Sequence, residues 1–335
     1  MLLQAAEFGR IAGSRVRSSV SRESGFTAWA PAWLALLVFV VVVCPPSARA
    51  AEPESHDAAY INLLDYNIDG GFRLMTGESR REPIREIGRL ARSYDLILVQ
   101  EDFEYDDILR EQLPQAETHR GAGAWSAPRL LLPKLIALPF NILIPRFSAP
   151  YGAGISTLVR SPLVSRGAEH GHYSACYGWF RYDNDCLAAK GYVQVTVELP
   201  NGASVDVYNS HLDAGRDEGD LAARTQELGQ LAQAIERISP GKALIVGGDF
   251  NSQPRYEYDL ENIRRFSERL GLEDSGAKPQ SGAWHKQEDW VLYRSSADVR
   301  LTVESAGEAE EFVRDGRPLS DHEALRARFR VEHIR

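Results

Sequence analysis

The sequence predicts two packed β-sheets flanked by helices. Three observations point there. Short segments rich in β-branched and aromatic residues dominate the chain after residue 57. Helical periodicity is confined to three stretches set between them. No repeat, low-complexity tract or long polar linker follows residue 56, so these elements belong to one domain. Strands in the majority with interspersed helices suit two packed sheets with helical outer layers better than a purely parallel sheet.

Taken in order, the first segment stands outside that fold. Arg10, Arg15, Arg17 and Arg22 precede an unbroken apolar run from Ala32 to Val43, followed by Pro45, Pro46 and Ala48-Arg49-Ala50. A basic region, a short apolar core and small residues at an A-x-A site compose a secretory signal peptide, expected at residues 1–50 and pointing to export. The apolar run is short for a membrane span, which needs ~20 residues. Residues 51–335 then form the folded domain. Of the chain's 335 residues, 44% are hydrophobic and 25% charged, the profile of a folded soluble protein. Without residues 1–50, which carry five Arg and two Glu, the formal charge moves from −9 to −12. So acidic a domain gains no general attraction to DNA or anionic lipid.

Strands are predicted at 59–67, 95–100, 153–160, 191–199, 203–210, 242–247, 289–294, 299–304 and 323–331. Asn201-Gly202 marks a hairpin between the fourth and fifth. Helices are predicted at 82–92, where Ile84, Ile87 and Leu90 share a face, at 217–237 with Leu221, Leu228, Leu231 and Ile235, and at 257–270. Residues 121–150 break the pattern: the stretch from Leu130 to Pro145 is strongly apolar, but its prolines forbid a regular helix or central strand. It reads either as a loop packed on the core or as an exposed insertion that touches membrane. In an exported domain, Cys176 and Cys186 are expected to form a disulfide. His170 and His172, set in an aromatic loop without acidic partners, read as solvated.

Five segments place metal-competent polar residues at strand ends. These are Tyr66-Asn67-Ile68-Asp69, Gln100-Glu101, Asn209-Ser210-His211, Gly248-Asp249-Phe250-Asn251 and Ser320-Asp321-His322. Strand ends share one rim of a sandwich, so residues distant in sequence can converge there on a rigid frame. Carboxylates, carboxamides and imidazoles without thiolate suit Mg²⁺ or Mn²⁺. The matching chemistry is hydrolysis of a phosphate ester by a metal-positioned water. Each segment alone is an ordinary turn or cap; the five in this order carry the reading.

Together they resemble the endonuclease/exonuclease/phosphatase superfamily, the DNase I-like fold, across nearly all of residues 57–331. The resemblance implies a four-layer α/β sandwich, two mainly antiparallel β-sheets between helices, with one active site on the strand-end rim. It implies Glu101 as principal Mg²⁺ ligand with Asn67 and Asp321 beside it, and Asn67 and Asn251 on phosphate oxygens. It makes His322 the catalytic imidazole oriented by Asp289, and has Asp249 orient or deprotonate the water. His211 stabilises developing charge or protonates the leaving group. Whether Asp249 or His322 takes the water's proton stays open.

Asp185-Cys186-Leu187-Ala188-Ala189-Lys190-Gly191 is similar to an Asp-x₄-Lys-Gly element of the neutral sphingomyelinase branch. The resemblance implies that Lys190 reaches the substrate phosphate under the control of Asp185. The leading expectation is an exported phospholipid phosphodiesterase with peripheral membrane contact through 121–150. The alternative is a secreted DNase I-like endonuclease. Against it stand the acidic charge and the scatter of Arg216, Arg224 and Arg255, which leave no evident groove for a nucleic-acid partner.

Overall fold

The computed structural model describes residues 58–71, 80–103, 105–123, 152–178, 185–277 and 288–334. The expected signal peptide and nearly all of the 121–150 stretch lie outside them. Two six-stranded sheets form the body. The first holds β1 (Ala59–Asn67), β2 (Leu96–Gln100), β3 (Glu117–Arg120), β4 (Ile155–Val159), β11 (Val299–Glu308) and β14 (Leu325–His333), in the order β11-β14-β1-β2-β4-β3. The second holds β5 (Val164–His172), β6 (Gly191–Glu198), β7 (Ser204–His211), β8 (Leu244–Asp249), β9 (Glu273–Asp274) and β10 (Asp289–Arg294), in the order β5-β6-β7-β8-β10-β9. A small ribbon pairs β12 (Val313–Arg314) with β13 (Arg317–Pro318).

Each sheet contains one parallel pair, β1 with β2 and β7 with β8, and its other pairings are antiparallel. A parallel pair needs a crossover. Helix α1 (Arg81–Leu90) lies within the first crossover and helix α3 (Glu218–Ile238) within the second. Helix α2 (Asp106–Gln112) packs beside α1, and α4 (Glu257–Leu270) beside α3. Three apolar clusters make four layers. Ile61, Leu63, Leu98, Val195, Val207, Ile245 and Phe329 fill the space between the sheets. Ile84, Ile87, Ile108 and Leu109 cover the outer face of the first sheet through Leu64, Ile97 and Val99. Leu228, Leu231, Ile235 and Phe266 cover the second through Tyr208, Val246 and Leu292. The expected α/β sandwich is the fold of the chain.

All nine predicted strands and three predicted helices appear. The hairpin at Asn201-Gly202 joins β6 to β7, with Gly202 in the left-handed region at φ 82°. Three larger elements escaped the sequence. Helix α2 and β3 flank the Pro-rich stretch and are too short for a periodic signal. Strand β5 gives no strand signal because its residues are mostly polar and exposed, as an edge strand tolerates. His170 and His172 thus sit in a strand paired with β6 rather than in a loop, and His170 is exposed, as expected. Among the described residues, no helix is long and apolar enough to cross a membrane.

Candidate active site

The site grows out of the inter-sheet core by strand alternation. Side chains two apart share a face. On β1 the inner face runs Ile61, Leu63, Asp65, Asn67; on β7 it runs Val205, Val207, Asn209, His211; on β8, Ile245, Gly247, Asp249. Asn67, His211 and Asp249 are therefore the last inward positions of their strands. His211 pairs in register with Asp249, and Asp249 with Asp289, which puts three site residues side by side on β7, β8 and β10. Glu101 follows β2 at φ 57° and Asn251 follows β8 at φ 48°, left-handed turns that aim side chains off the strand direction. Gly248 (φ 133°) has to be glycine: a Cβ there would lie 1.9 Å from the Ser210 carbonyl oxygen.

Asn67 joins the two sheets. Its Nδ2 donates to Asp249 Oδ2 (2.9 Å) and Glu101 Oε1 (3.2 Å) and lies 3.4 Å from His322 Nε2, while its Oδ1 accepts from the Asp69 N–H (3.1 Å). His322, just before β14, bonds through Nδ1 to Asp289 Oδ2 (2.9 Å) and turns Nε2 toward Asp249 Oδ2 (3.8 Å). His211 Nε2 lies 3.3 Å from the same Asp249 oxygen. Ser320 Oγ donates to the Asn67 carbonyl (2.7 Å) and accepts from the His322 N–H (3.3 Å), anchoring the last motif to β1.

Charge is concentrated by burial. Burial alone works against the charge of Asp249, yet His322 and His211 hold its carboxyl well below the usual carboxylate range. Burial also works against the imidazolium of His322, but Asp289 and Asp249 on either side push its pKa up to about 11. Burial, Asp321 and Glu101 push Asp69 up to about 6 against the pull of Arg80, whose Nε lies 3.2 Å from its carboxylate.

Among the described residues, two groups of side chains bring ligand atoms within 4.8 Å of one another: Glu101, His211 and Asp249, and Asp249, Asp289 and His322. Glu101 and Asp249 offer the hard oxygens a divalent cation such as Mg²⁺ takes. His211 Nδ1 and Asp289 Oδ1 are buried without a hydrogen-bond partner. The residues present therefore fit a metal. The residues that cluster with Glu101 are Asp249 and His211 rather than Asp321, which is exposed and has Oδ1 3.3 Å from Ser320 Oγ. Asn67 turns its nitrogen toward both carboxylates, so here it steadies the metal-competent pair.

Lys190 is 5% exposed and its ammonium is engaged by Asp185 and by the Leu212 carbonyl (2.6 Å). Asn251 Nδ2 donates to that same carbonyl (3.0 Å), which places Lys190 next to the site. To reach a phosphate, Lys190 has to release one of its partners. Cys176 and Cys186 form the expected disulfide. Beside it, Tyr177 N–H donates to Asp213 Oδ2 (2.7 Å) and Ala214 N–H to Asp185 Oδ2 (3.0 Å), tying the loop to the segment after His211. Sequence reasoning missed Asp213, Glu227 and Arg224, which are buried around that segment. Arg224 caps its carbonyls at Asp213 and Gly215. A fully buried arginine in an amphipathic helix gives no sequence signal that sets it apart from a surface one.

The rim therefore places an ionised carboxylate, a charged imidazole and a cation-competent pair at one point of an α/β sandwich. That class has a name: residues 66–322, from the residue before Asn67 to His322, match the Endonuclease/Exonuclease/phosphatase family, and the chain belongs to it. Within it, the chain is similar to a sphingomyelinase of Mycobacterium bovis, 30% identical over 281 residues that cover 78% of this chain and 51% of that protein. It spans about half the length of the curated relatives it matches. Solved structures of the same fold include sphingomyelinase C of Streptomyces griseocarneus (TM-score 0.58, 15% identity, 80% of this chain and 98% of that one). Another is a beta toxin variant of Staphylococcus aureus with bound magnesium ions (TM-score 0.58, 13% identity, 80% and 98%).

Proposed function

We propose that the chain is an exported, Mg²⁺-dependent phosphodiesterase of sphingomyelinase type, which hydrolyses a phospholipid and releases its phosphorylated head group. The observation that carries the reading is the meeting of Glu101, His211 and Asp249 with the Asp289–His322 pair through one shared carboxylate. The sphingomyelinase relative supports the substrate class, and the magnesium in the beta toxin supports the metal. Glu101 and Asp249 would hold it. When bound, the ion supplies positive charge to the phosphate oxygens and to the attacking water.

The chain's own residues do the rest. To donate to phosphate oxygens, Asn67 Nδ2 has to turn from Glu101 or Asp249, and Asn251 Nδ2 from the Leu212 carbonyl. The imidazolium of His322 stabilises the extra negative charge of the five-coordinate phosphorus. As the water oxygen bonds to phosphorus and the ester P–O bond breaks, the water's proton passes to the Asp249 carboxylate, and His211 donates toward the leaving oxygen. Lys190, freed from Asp185, adds a point charge to the phosphate side. Export is supported by the Arg-rich, apolar N-terminus and by the disulfide. Membrane contact rests on the apolar residues of 121–150.

The test is hydrolysis by the purified protein of sphingomyelin liposomes and of plasmid DNA, run side by side with Mg²⁺ or EDTA and with Asp249→Asn as blank. Mg²⁺-dependent phosphocholine release with intact plasmid is expected. Nicked plasmid with untouched liposomes would move the protein to the nuclease alternative and sink the lipid reading.

A further inference from the structure

On β1, β2, β7 and β8, the strand that delivers a site residue also carries a buried polar group one or two positions earlier. Asp65 precedes Asn67, Gln100 precedes Glu101, Asn209 precedes His211, and Gly248 precedes Asp249. These four groups are bonded to one another across the two sheets. Asp65 accepts from Gln100 Nε2 on Oδ1 (2.8 Å) and from the Gly248 N–H on Oδ2 (3.0 Å). Gln100 Nε2 donates also to Asn209 Oδ1 (2.8 Å), and Asn209 Nδ2 donates to the carbonyls of Val99 (3.1 Å) and Ser156 (2.9 Å). All three side chains are 0% exposed.

Counting donors leaves no freedom. Asn209 faces two carbonyls, so it turns its NH₂ to them and its oxygen to Gln100. Gln100 answers with its own NH₂, even at the expense of a buried Oε1 that has no partner. Gly248 contributes an N–H that no side chain can replace. Asp65 thus meets a donor at each oxygen. A carboxylate satisfies both, and a carboxamide of the same shape satisfies one and clashes with the other. Burial and the nearby Asp289 push the Asp65 carboxyl well above the usual range, and the two donated bonds oppose them. A protonated oxygen would need an acceptor, which neither donor provides.

We propose that Asp65 is a positioning residue: by bridging Gln100 on one sheet and Gly248 on the other, it sets Asn67 and Glu101 in register against His211 and Asp249. Its kinetic consequence rests on the phosphodiesterase reading; its structural consequence does not. Asp65→Asn is the test, read in three ways on the full chain. The Gly248 amide proton, followed by NMR of glycine-labelled protein, should move upfield as it loses a carboxylate acceptor. Calorimetric titration should show Mg²⁺ affinity weakened fivefold or more. On sphingomyelin, kcat should fall tenfold or more with KM within twofold. Gln100→Ala, which keeps the Asp65–Gly248 bond, should lower kcat about threefold and carries the test if Asp65→Asn does not fold. A folded Asp65→Asn protein with unchanged Mg²⁺ affinity and kcat overturns the proposal, even if its melting temperature drops. So does wild-type behaviour of Gln100→Ala. If the wild type hydrolyses neither lipid nor DNA, the functional reading fails, and the Gly248 shift and the Mg²⁺ titration still decide the role of Asp65.

Discussion

The two strand–helix–strand units, β1-α1-β2 and β7-α3-β8, do the same thing topologically and the opposite thing electrostatically. Both pair parallel strands whose ends reach one rim. The tip of the first unit is open. Glu101, Asp69 and Arg80 are only partly buried, and left-handed residues at positions 69 and 101 turn the chain over them. The tip of the second is closed. His211, Asp213 and Asp249 are at most 2% exposed, and Lys190, Arg224, Glu227 and a disulfide pack about them. An open carboxylate suits an ion that comes and goes; closed charges suit groups that must hold a fixed protonation state and direction. The site divides its labour by exposure.

Breaking the closed half should have the largest effect. Asp249→Asn should lower kcat on sphingomyelin about 10³-fold, within the range for loss of a general acid–base group, measured at saturating Mg²⁺; His322→Ala, which removes the half-buried imidazole facing it, should match that loss. Glu101→Gln strikes the open half instead. It should raise the Mg²⁺ concentration for half-maximal rate tenfold or more, and high Mg²⁺ should restore much of the rate. No such rescue is expected for Asp249→Asn, and equal rescue of both would erase the contrast. Cys176→Ser with Cys186→Ser should remove roughly 2–3 kcal/mol of stability on the chain-entropy model. It should also raise KM severalfold by loosening Asp185 and Lys190, with the half-maximal Mg²⁺ unchanged. An effect on stability rather than on rate concerns Asp213, pushed up to about 8 by burial, Asp185 and Glu227. An unfolded Asp titrates near ~4, so the folded state holds this proton more tightly. Its stabilising contribution is complete below ~4 and is lost as pH rises through 8. Asp213→Asn should remove that loss and narrow the fall in melting temperature between pH 5 and pH 8.5, followed by circular dichroism.

How much of this was legible beforehand varied with the physical signal. Asn67, Glu101, His211 and Asp249 stood out because polar residues ended β-branched runs, His322 because it opened one, and their convergence followed from the rim of a sandwich. Asp289 was legible only through resemblance, since a carboxylate opening a strand is common. Asp65 was missed, because alternation says where a charged residue on an apolar strand points and not what it meets. The 5% exposure of Lys190 was illegible, because burial of a lysine depends on partners such as Leu212 that lie far along the chain. Strand β5 was hidden for the converse reason: most of its residues are exposed, so no core contact enforces an apolar pattern.

Asp249 and Asp289 are direct partners on one rung of the sheet, and His322 is the cation that faces both. The rung therefore leans on that imidazole, with His211 as the second imidazole against Asp249. A descendant that lost His322 first would be left with two facing carboxylates in a dry interior, and selection for a stable fold would favour neutralising one of them soon after. Drift from enzyme to inert binding module should leave a footprint: losses at 249, 289 and 322 arriving together, while Glu101, with its half-open surroundings, erodes on its own schedule.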